Sequence, residues 1–276
     1  MHFAPYIRPH PLRVGLAGLG SIGIQVARLL DGGIPGLELA AVAAADQERA
    51  RGRLAGLAYP PPVGDLATLG ECDVVVEMLP SRLFADVARP TLERGATLVV
   101  ASVGALLSQM ELIDLARAKG GRILVPSGAI LGLDAIKGAC EGQVASIRIE
   151  TRKSPGSLAG APYIIANAID IHAINAPTLI FSGTADQAAI AFPANTNVAA
   201  ALALAGLGPE RTDVRVIADP ALDRNIHTIT VEADSARFTA TIEIVPNVEN
   251  PRSGQLTPRS IVACLRELVS PVRIGS

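Results

Sequence analysis

Asn225 and His227 are the pair whose types and spacing most plainly suit proton chemistry. They stand two residues apart in N-I-H-T-I-T-V, residues 225–231. A strand turns every second side chain to the same face, so both share a face with Ile229 and Val231. Apolar neighbours on that face set the pair against packed structure rather than water. Histidine titrates near neutrality and moves protons; asparagine holds a carbonyl, a carboxylate or an amine. Asp219-Pro220 and Asp223-Arg224 lie just upstream, in a turn that could rim a pocket. The same spacing also suits a strand histidine satisfied by a neighbouring carbonyl, and spacing alone leaves both readings open. His172, in I-D-I-H-A-I-N-A-P, reads more readily as structural, and His2 and His10 fall in a proline-rich lead-in.

A second constellation suits anion binding. Gly18, Gly20 and Gly23 fall in the order G-x-G-x-x-G, with Ser21 and Ile22 between the last two. The apolar stretch Leu12 to Ala17 precedes them. Ile22, Val26, Leu29 and Leu30 then recur at helical spacing. A strand, a glycine turn and a helix together form the setting in which this motif cradles a dinucleotide pyrophosphate. Free N–H groups at the helix start meet the anion. Asp46 lies close to the roughly 20-residue offset at which a carboxylate meets the ribose hydroxyls of NAD. It also suits an N-cap for the next helix. Arg49 and Arg51 follow, so NADP stays open as the alternative cofactor.

These groups need elements to hold them. Strands are expected at 12–17, 37–43, 73–78, 96–101 and 122–125, alternating with helices, which gives a parallel sheet. Ligands in such sheets sit beyond the carboxyl ends of the strands. Leu79 and Pro80, with Ser102, Val103 and Gly104, occupy two of those ends and are expected to wall the nicotinamide pocket. After Pro126 the rhythm changes. Residues 130–139 read as a helix, 144–153 as a long strand, and 154–161 as a mobile Ser/Gly/Pro/Ala loop. Strands at 178–182, 213–218, 225–233 and 237–244 follow, the last two as a hairpin, with helices at 185–192 and 195–205. The fold class is therefore α/β: a parallel sheet domain of the Rossmann type plus a second, α+β domain with a mixed sheet. The expected division is 1–126 for the dinucleotide, 127–254 for substrate, catalysis and oligomerisation, and 255–276 for a helix returning to the first domain. A substrate cleft between the two domains is expected.

Composition narrows the partners. The chain has 276 residues, 49% hydrophobic but only 3% aromatic, so Ala, Val, Leu and Ile must fill its core. A net charge of −2, without a basic run, points away from nucleic acid and anionic membranes. No apolar run is long enough to span a bilayer. Cys72, Cys140 and Cys264 are odd in number and far apart, which offers neither a disulfide framework nor a zinc spacing, so no metal is expected. The N-terminus lacks a signal-peptide pattern, and a cytoplasmic protein is expected.

Several further segments resemble the L-aspartate dehydrogenase family: S-V-G-A-L at 102–106, P-S-G-A-I at 126–130, F-P-A-N-T-N-V-A-A at 192–200, L-A-G-L-G-P-E-R at 204–211, A-D-P at 218–220 and N-I-H at 225–227. Asn250-Pro251 with Ser253 is similar to that family's N-P-K-T-S. Met78-Leu79-Pro80-Ser81 stands where many members carry a C-A-G-H-like turn. The resemblance implies NAD(P)-dependent oxidation of L-aspartate to iminosuccinate, which hydrolyses to oxaloacetate and ammonia, with the reverse a reductive amination. It implies His227 as acid/base and Asn225 beside it, with substrate contacts at Lys153, Ser127 and Asn195. Arg152 is the other basic candidate for a substrate carboxylate. Family members are typically homodimers or larger. Two rivals remain: a reductase of another small acidic or imine substrate, and an NAD-sensing protein without turnover.

Overall fold

The computed structural model describes residues 10–247, 249 and 254–275. By its internal contacts the chain divides into two units: Met1–Pro126 with Pro258–Ile274, and Ser127–Thr257 with Gly275–Ser276.

In the first unit, β1 (Leu12–Ala17) leads through the glycine turn into α1 (Ser21–Asp31). The chain continues as β2 (Leu37–Ala43), α2 (Gln47–Leu54), β3 (Val63–Gly64) and β4 (Val74–Glu77), then α3 (Phe84–Glu93) and β5 (Thr97–Val100). It closes with α4 (Val103–Leu107), α5 (Glu111–Lys119) and β6 (Arg122–Leu124). The six strands are all parallel, in the order β3-β2-β1-β4-β5-β6. The order reverses between β1 and β4, which is the switch point beyond whose strand ends ligands sit in such sheets. Both faces are covered, so the central strands read as apolar runs rather than alternating ones. Val14, Leu16, Val42, Val74, Val76 and Val99 pack with Ile24 and Val26 of α1 into one core. α11 (Leu256–Glu267) adds Ile261, Val262 and Leu265 to that core.

The second unit holds α6 (Leu133–Ala139), β7 (Val144–Lys153), α7 (Pro155–Leu158), α8 (Pro162–Ala166) and β8 (Thr178–Thr184). α9 (Ala185–Ala191), α10 (Asn197–Ala205), β9 (Thr212–Ala218), β10 (Asn225–Ala233) and β11 (Arg237–Ile244) follow. Its sheet runs β11-β10-β7-β9-β8. β7 and β9 are parallel and the other neighbours antiparallel, so the sheet is mixed. Along β10 the alternation holds: Asn225, His227, Ile229 and Val231 are all buried on one face. Ile147, Ile149, Thr151 and Lys153 continue that face on β7.

The structure departs from the sequence reading in three places. Residues 154–161 are not an open loop. Pro155 and Pro162 each start a helical turn, where their fixed φ and missing N–H cost nothing. Leu158 and Ser157 are buried, which anchors the segment. Second, the helix expected from Ile130 begins only at Leu133, because Gly132 adopts a left-handed conformation at φ +72°. Third, Ser102-Val103-Gly104 is not a bare strand-end turn, since Val103 opens the short helix α4. The segment compared with N-P-K-T-S, at 250–253, lies outside the described residues.

Candidate active site

The glycine turn is held by close backbone packing. Gly18 sits at φ +101°, and a Cβ there would come within 2.9 Å of the Met78 carbonyl oxygen. A Cβ on Gly23 would lie 2.3 Å from the Gly18 carbonyl, so only glycine lets α1 approach the turn this closely. At Gly20, by contrast, a Cβ would meet nothing within 4 Å. That open space faces a helix start with no side-chain cap, which leaves the first-turn N–H groups for an anion. Ser21 and Ile22, both half-buried, supply part of that turn. The glycines, the uncapped helix and the open approach therefore fit a pyrophosphate. Arg53 steadies the turn from α2 by donating from Nη1 to the Leu19 carbonyl at 3.0 Å.

Asp46 follows β2 and is exposed. Its Oδ1 accepts from the Arg49 N–H at 3.0 Å, which makes it the N-cap of α2. The cap occupies one carboxylate oxygen. Arg51 is engaged locally, donating from Nη2 to Gln47 Oε1 and to the Val63 carbonyl.

The ends of β4 and β5 are joined by a residue the sequence reading passed over. Glu77 is fully buried at the end of β4, beside Ala17 of β1. Its Oε1 accepts from the Leu79 N–H at 2.8 Å and from Ser102 Oγ at 3.0 Å, while Oε2 accepts from the Ser102 N–H at 3.1 Å. Burial holds its pKa above the ordinary carboxylate value, and these donors offset only part of that rise. The signal was visible in D-V-V-V-E-M: an acidic residue closing a wholly apolar strand needs buried donors. Leu79 is half-buried and Pro80 exposed, while Val103 is buried and Gly104 half-buried. Met78, in the segment that differs from C-A-G-H, packs its methyl group against the glycine turn, 3.5 Å from where a Gly23 Cβ would stand.

In the second unit, four polar side chains gather at one end of the buried sheet face. His227 pairs with Thr151 across β10 and β7, and its Nδ1 lies 3.0 Å from Thr151 Oγ1. One step further along the same face stand Asn225 and Lys153, 6% and 4% exposed. Lys153 Nζ donates to Asn195 Oδ1 at 2.9 Å. Among the described residues no carboxylate pairs with this ammonium. Arg152 belongs to the opposite face. It pairs with Asp219 at 3.6 Å, so Lys153 rather than Arg152 is the cation inside the sheet face.

Burial lowers the Lys153 pKa to about 8. It lowers the His227 pKa to about 3, burial contributing most and the Lys153 charge adding to it. The imidazole is therefore neutral throughout the physiological range, well below the ordinary histidine value assumed from sequence. Ser127 is exposed at the start of the second unit, and no described hydrogen bond joins it to Lys153 or His227. His172 is exposed on a single 3-10 turn. The three cysteines are free, and among the described residues no cluster could hold a metal ion. Nor is any described helix long and apolar enough to cross a membrane.

A parallel unit that fits a dinucleotide, joined in one chain to a mixed sheet with a buried amine and imidazole, is the architecture of an NAD-binding oxidoreductase. Comparison with known proteins narrows this. Residues 18–126 match the family model "Homoserine dehydrogenase, NAD binding domain", and residues 134–268 match "Aspartate dehydrogenase, C-terminal". The chain is 49% identical to the L-aspartate dehydrogenase of Bradyrhizobium diazoefficiens, covering 96% of this chain and 94% of that one. It is 43% identical to L-aspartate dehydrogenase 3 of Bordetella bronchiseptica, covering 96% and 98%. The crystal structure of aspartate dehydrogenase from Thermotoga maritima superposes with a TM-score of 0.74 at 25% identity, covering 96% and 100%. The chain belongs to the L-aspartate dehydrogenase family.

Proposed function

We propose that the chain oxidises L-aspartate with NAD, and that Lys153, Asn195, Asn225 and His227 form its substrate site. L-aspartate, NAD and water give oxaloacetate, ammonium, NADH and a proton by way of iminosuccinate; the reverse is a reductive amination. NAD, when bound, takes the α-hydrogen as hydride.

The observation that carries this reading is Lys153. A buried ammonium without an acidic partner is costly, and an anionic ligand repays that cost. After its bond to Asn195 it retains two donor positions for a carboxylate. Asn195 spends its carbonyl on Lys153, so its amide N–H groups are free to donate beside it. Asn225 supplies a further carbonyl and amide on the same face. His227 stands next to them and supplies a hydrogen-bonding group for a substrate oxygen or for the oxygen that water adds to the imine. A bound dianion also raises the pKa of both Lys153 and His227, offsetting part of the burial effect.

On the first unit, Gly18, Gly20, Ser21, Ile22 and Gly23 hold the pyrophosphate. Leu79, Pro80, Ser102, Val103 and Gly104 wall the nicotinamide. Asp46, still offering one carboxylate oxygen, receives the ribose hydroxyls and disfavours a 2′-phosphate, so NAD is preferred over NADP. Ser127 is assigned to the substrate by family resemblance alone.

The test is the rise of the NADH absorbance band with a panel of amino acids and either cofactor. Turnover should require L-aspartate and favour NAD. Tight NADH binding with no turnover of any amino acid would instead indicate a sensor. Turnover confined to another acidic or imine substrate would indicate the reductase.

A further inference from the structure

The bond between Thr151 and His227 decides which ring nitrogen meets the substrate. Both residues are buried, 6% and 3% exposed, and directly opposite each other on β7 and β10. Thr151 Oγ1 stands 3.0 Å from Nδ1. A hydroxyl carries a proton that must be given to an acceptor, and in a buried setting an ungiven proton costs about 1–3 kcal/mol. Among the described residues Nδ1 is the one acceptor Thr151 Oγ1 reaches. If Nδ1 instead carried the proton and donated to Oγ1, the hydroxyl proton would be left over. The other ring nitrogen, Nε2, makes no hydrogen bond among the described residues. In a neutral histidine the nitrogen that accepts leaves the proton to the other.

We propose that Thr151 is a positioning residue: its hydroxyl donates to Nδ1 and holds His227 in the Nε2–H tautomer, so the imidazole meets L-aspartate or its imine as a neutral hydrogen-bond donor. This rests on the reading of the substrate site given above. A donor with no charge of its own can stand close to the Lys153 ammonium, where an imidazolium would be repelled. It serves a carboxylate oxygen, or the oxygen of the water-addition intermediate, before and after hydride leaves the α-carbon.

The test replaces Thr151 by Val, which keeps the shape and removes the hydroxyl, and by Ser, which keeps the hydroxyl. Two readouts are taken on the full chain. One is the ¹⁵N–¹H correlation spectrum of histidine-labelled protein, with the His227 signals assigned by their loss in His227→Asn. The other is kcat with L-aspartate beside the Kd for NADH. The expected wild-type spectrum has the proton on Nε2. Thr151→Val should lose that preference and lower kcat by about 10- to 100-fold, as partners that orient a functional histidine do, with the NADH Kd unchanged. Thr151→Ser should restore both tautomer and rate. A wild-type proton on Nδ1 would overturn the proposal, and so would a Thr151→Val protein with unaltered tautomer or unaltered kcat. The spectrum needs no turnover. If the wild type failed to oxidise L-aspartate yet showed the Nε2–H form, the substrate reading would fail while the tautomer assignment stood.

Discussion

Lys153 Nζ and Asn195 Oδ1, 2.9 Å apart, join the end of β7 to the short connection between α9 and α10. The bond gives a buried cation one neutral partner, which is too little to compensate for lost water. The folded chain therefore holds Lys153 at a cost. Its pKa of about 8 lies below the ordinary lysine value of 10.5, so the unfolded state binds the proton more tightly. The penalty is fully present below pH 8, fades as pH rises through that value, and vanishes near 10.5. Lys153→Met should stabilise the ligand-free protein at neutral pH by up to about 3 kcal/mol while abolishing dicarboxylate binding. Denaturant unfolding at neutral and alkaline pH checks it; a loss of stability at neutral pH would show that the ammonium is compensated after all.

Substrate capture should follow the same titration. Succinate, an unreactive dicarboxylate, should inhibit with a constant that is flat near neutrality, climbs as pH passes about 8, the value of the ligand-free enzyme, and levels off only at the higher value that the bound dianion gives Lys153. No break should appear at the ordinary histidine value, because His227 already lies near 3. An inhibition profile measured across this range decides it; a break near the histidine value that disappears in His227→Ala would show that the imidazole is less buried than the structure has it.

Cofactor choice turns on Asp46, which is both the cap of α2 and the proposed ribose ligand. Asp46→Ser keeps a capping oxygen and removes the charge. It should raise kcat/KM for NADP relative to NAD with little change in stability. Asp46→Ala should do the same and lose about 1 kcal/mol with the cap. An unchanged cofactor ratio in both variants would remove Asp46 from the ribose site.

How far the sequence revealed this arrangement depended on whether the signal was local. The strand–turn–helix at Leu12 to Asp31 was legible because the glycines, the apolar run and the helical period all lie within one short stretch. The period of two likewise placed Asn225 and His227 on a common buried face without knowledge of the fold. Thr151 could not be found that way. It lies 76 residues from His227, and only the β7–β10 register brings them together. The choice of Lys153 over Arg152 also needed the sheet, since adjacent residues on a strand differ only in face. The segment at 154–161 misled because small residues and prolines suit a loop, whereas here the prolines begin helical turns and Leu158 pins them to the core.

Glu77 offers a test of the first unit. Glu77→Ala should leave the Leu79 and Ser102 N–H groups without their carboxylate partner, while Ser102 Oγ keeps the Leu79 carbonyl as acceptor, and should destabilise the unit by about 1–3 kcal/mol. Glu77→Gln keeps one acceptor oxygen and should fold better, yet weaken NADH binding by disturbing the ends of β4 and β5. Thermal unfolding and NADH fluorescence titration of both variants check this. Wild-type NADH affinity in a folded Glu77→Ala protein would mean these two strand ends do not shape the cofactor site.

The most direct measurement is the turnover of His227→Ala with L-aspartate, taken beside its Kd for NADH and beside His172→Ala. His227→Ala should lower kcat by at least about 10²-fold and leave the NADH Kd nearly unchanged, because the glycine turn and Asp46 are untouched. His172, exposed on its 3-10 turn and with its side chain in no described hydrogen bond, should be replaceable without effect on kcat. Full activity in His227→Ala, or an inactive His172→Ala, would contradict the placement of the chemistry at Thr151, Lys153, Asn225 and His227.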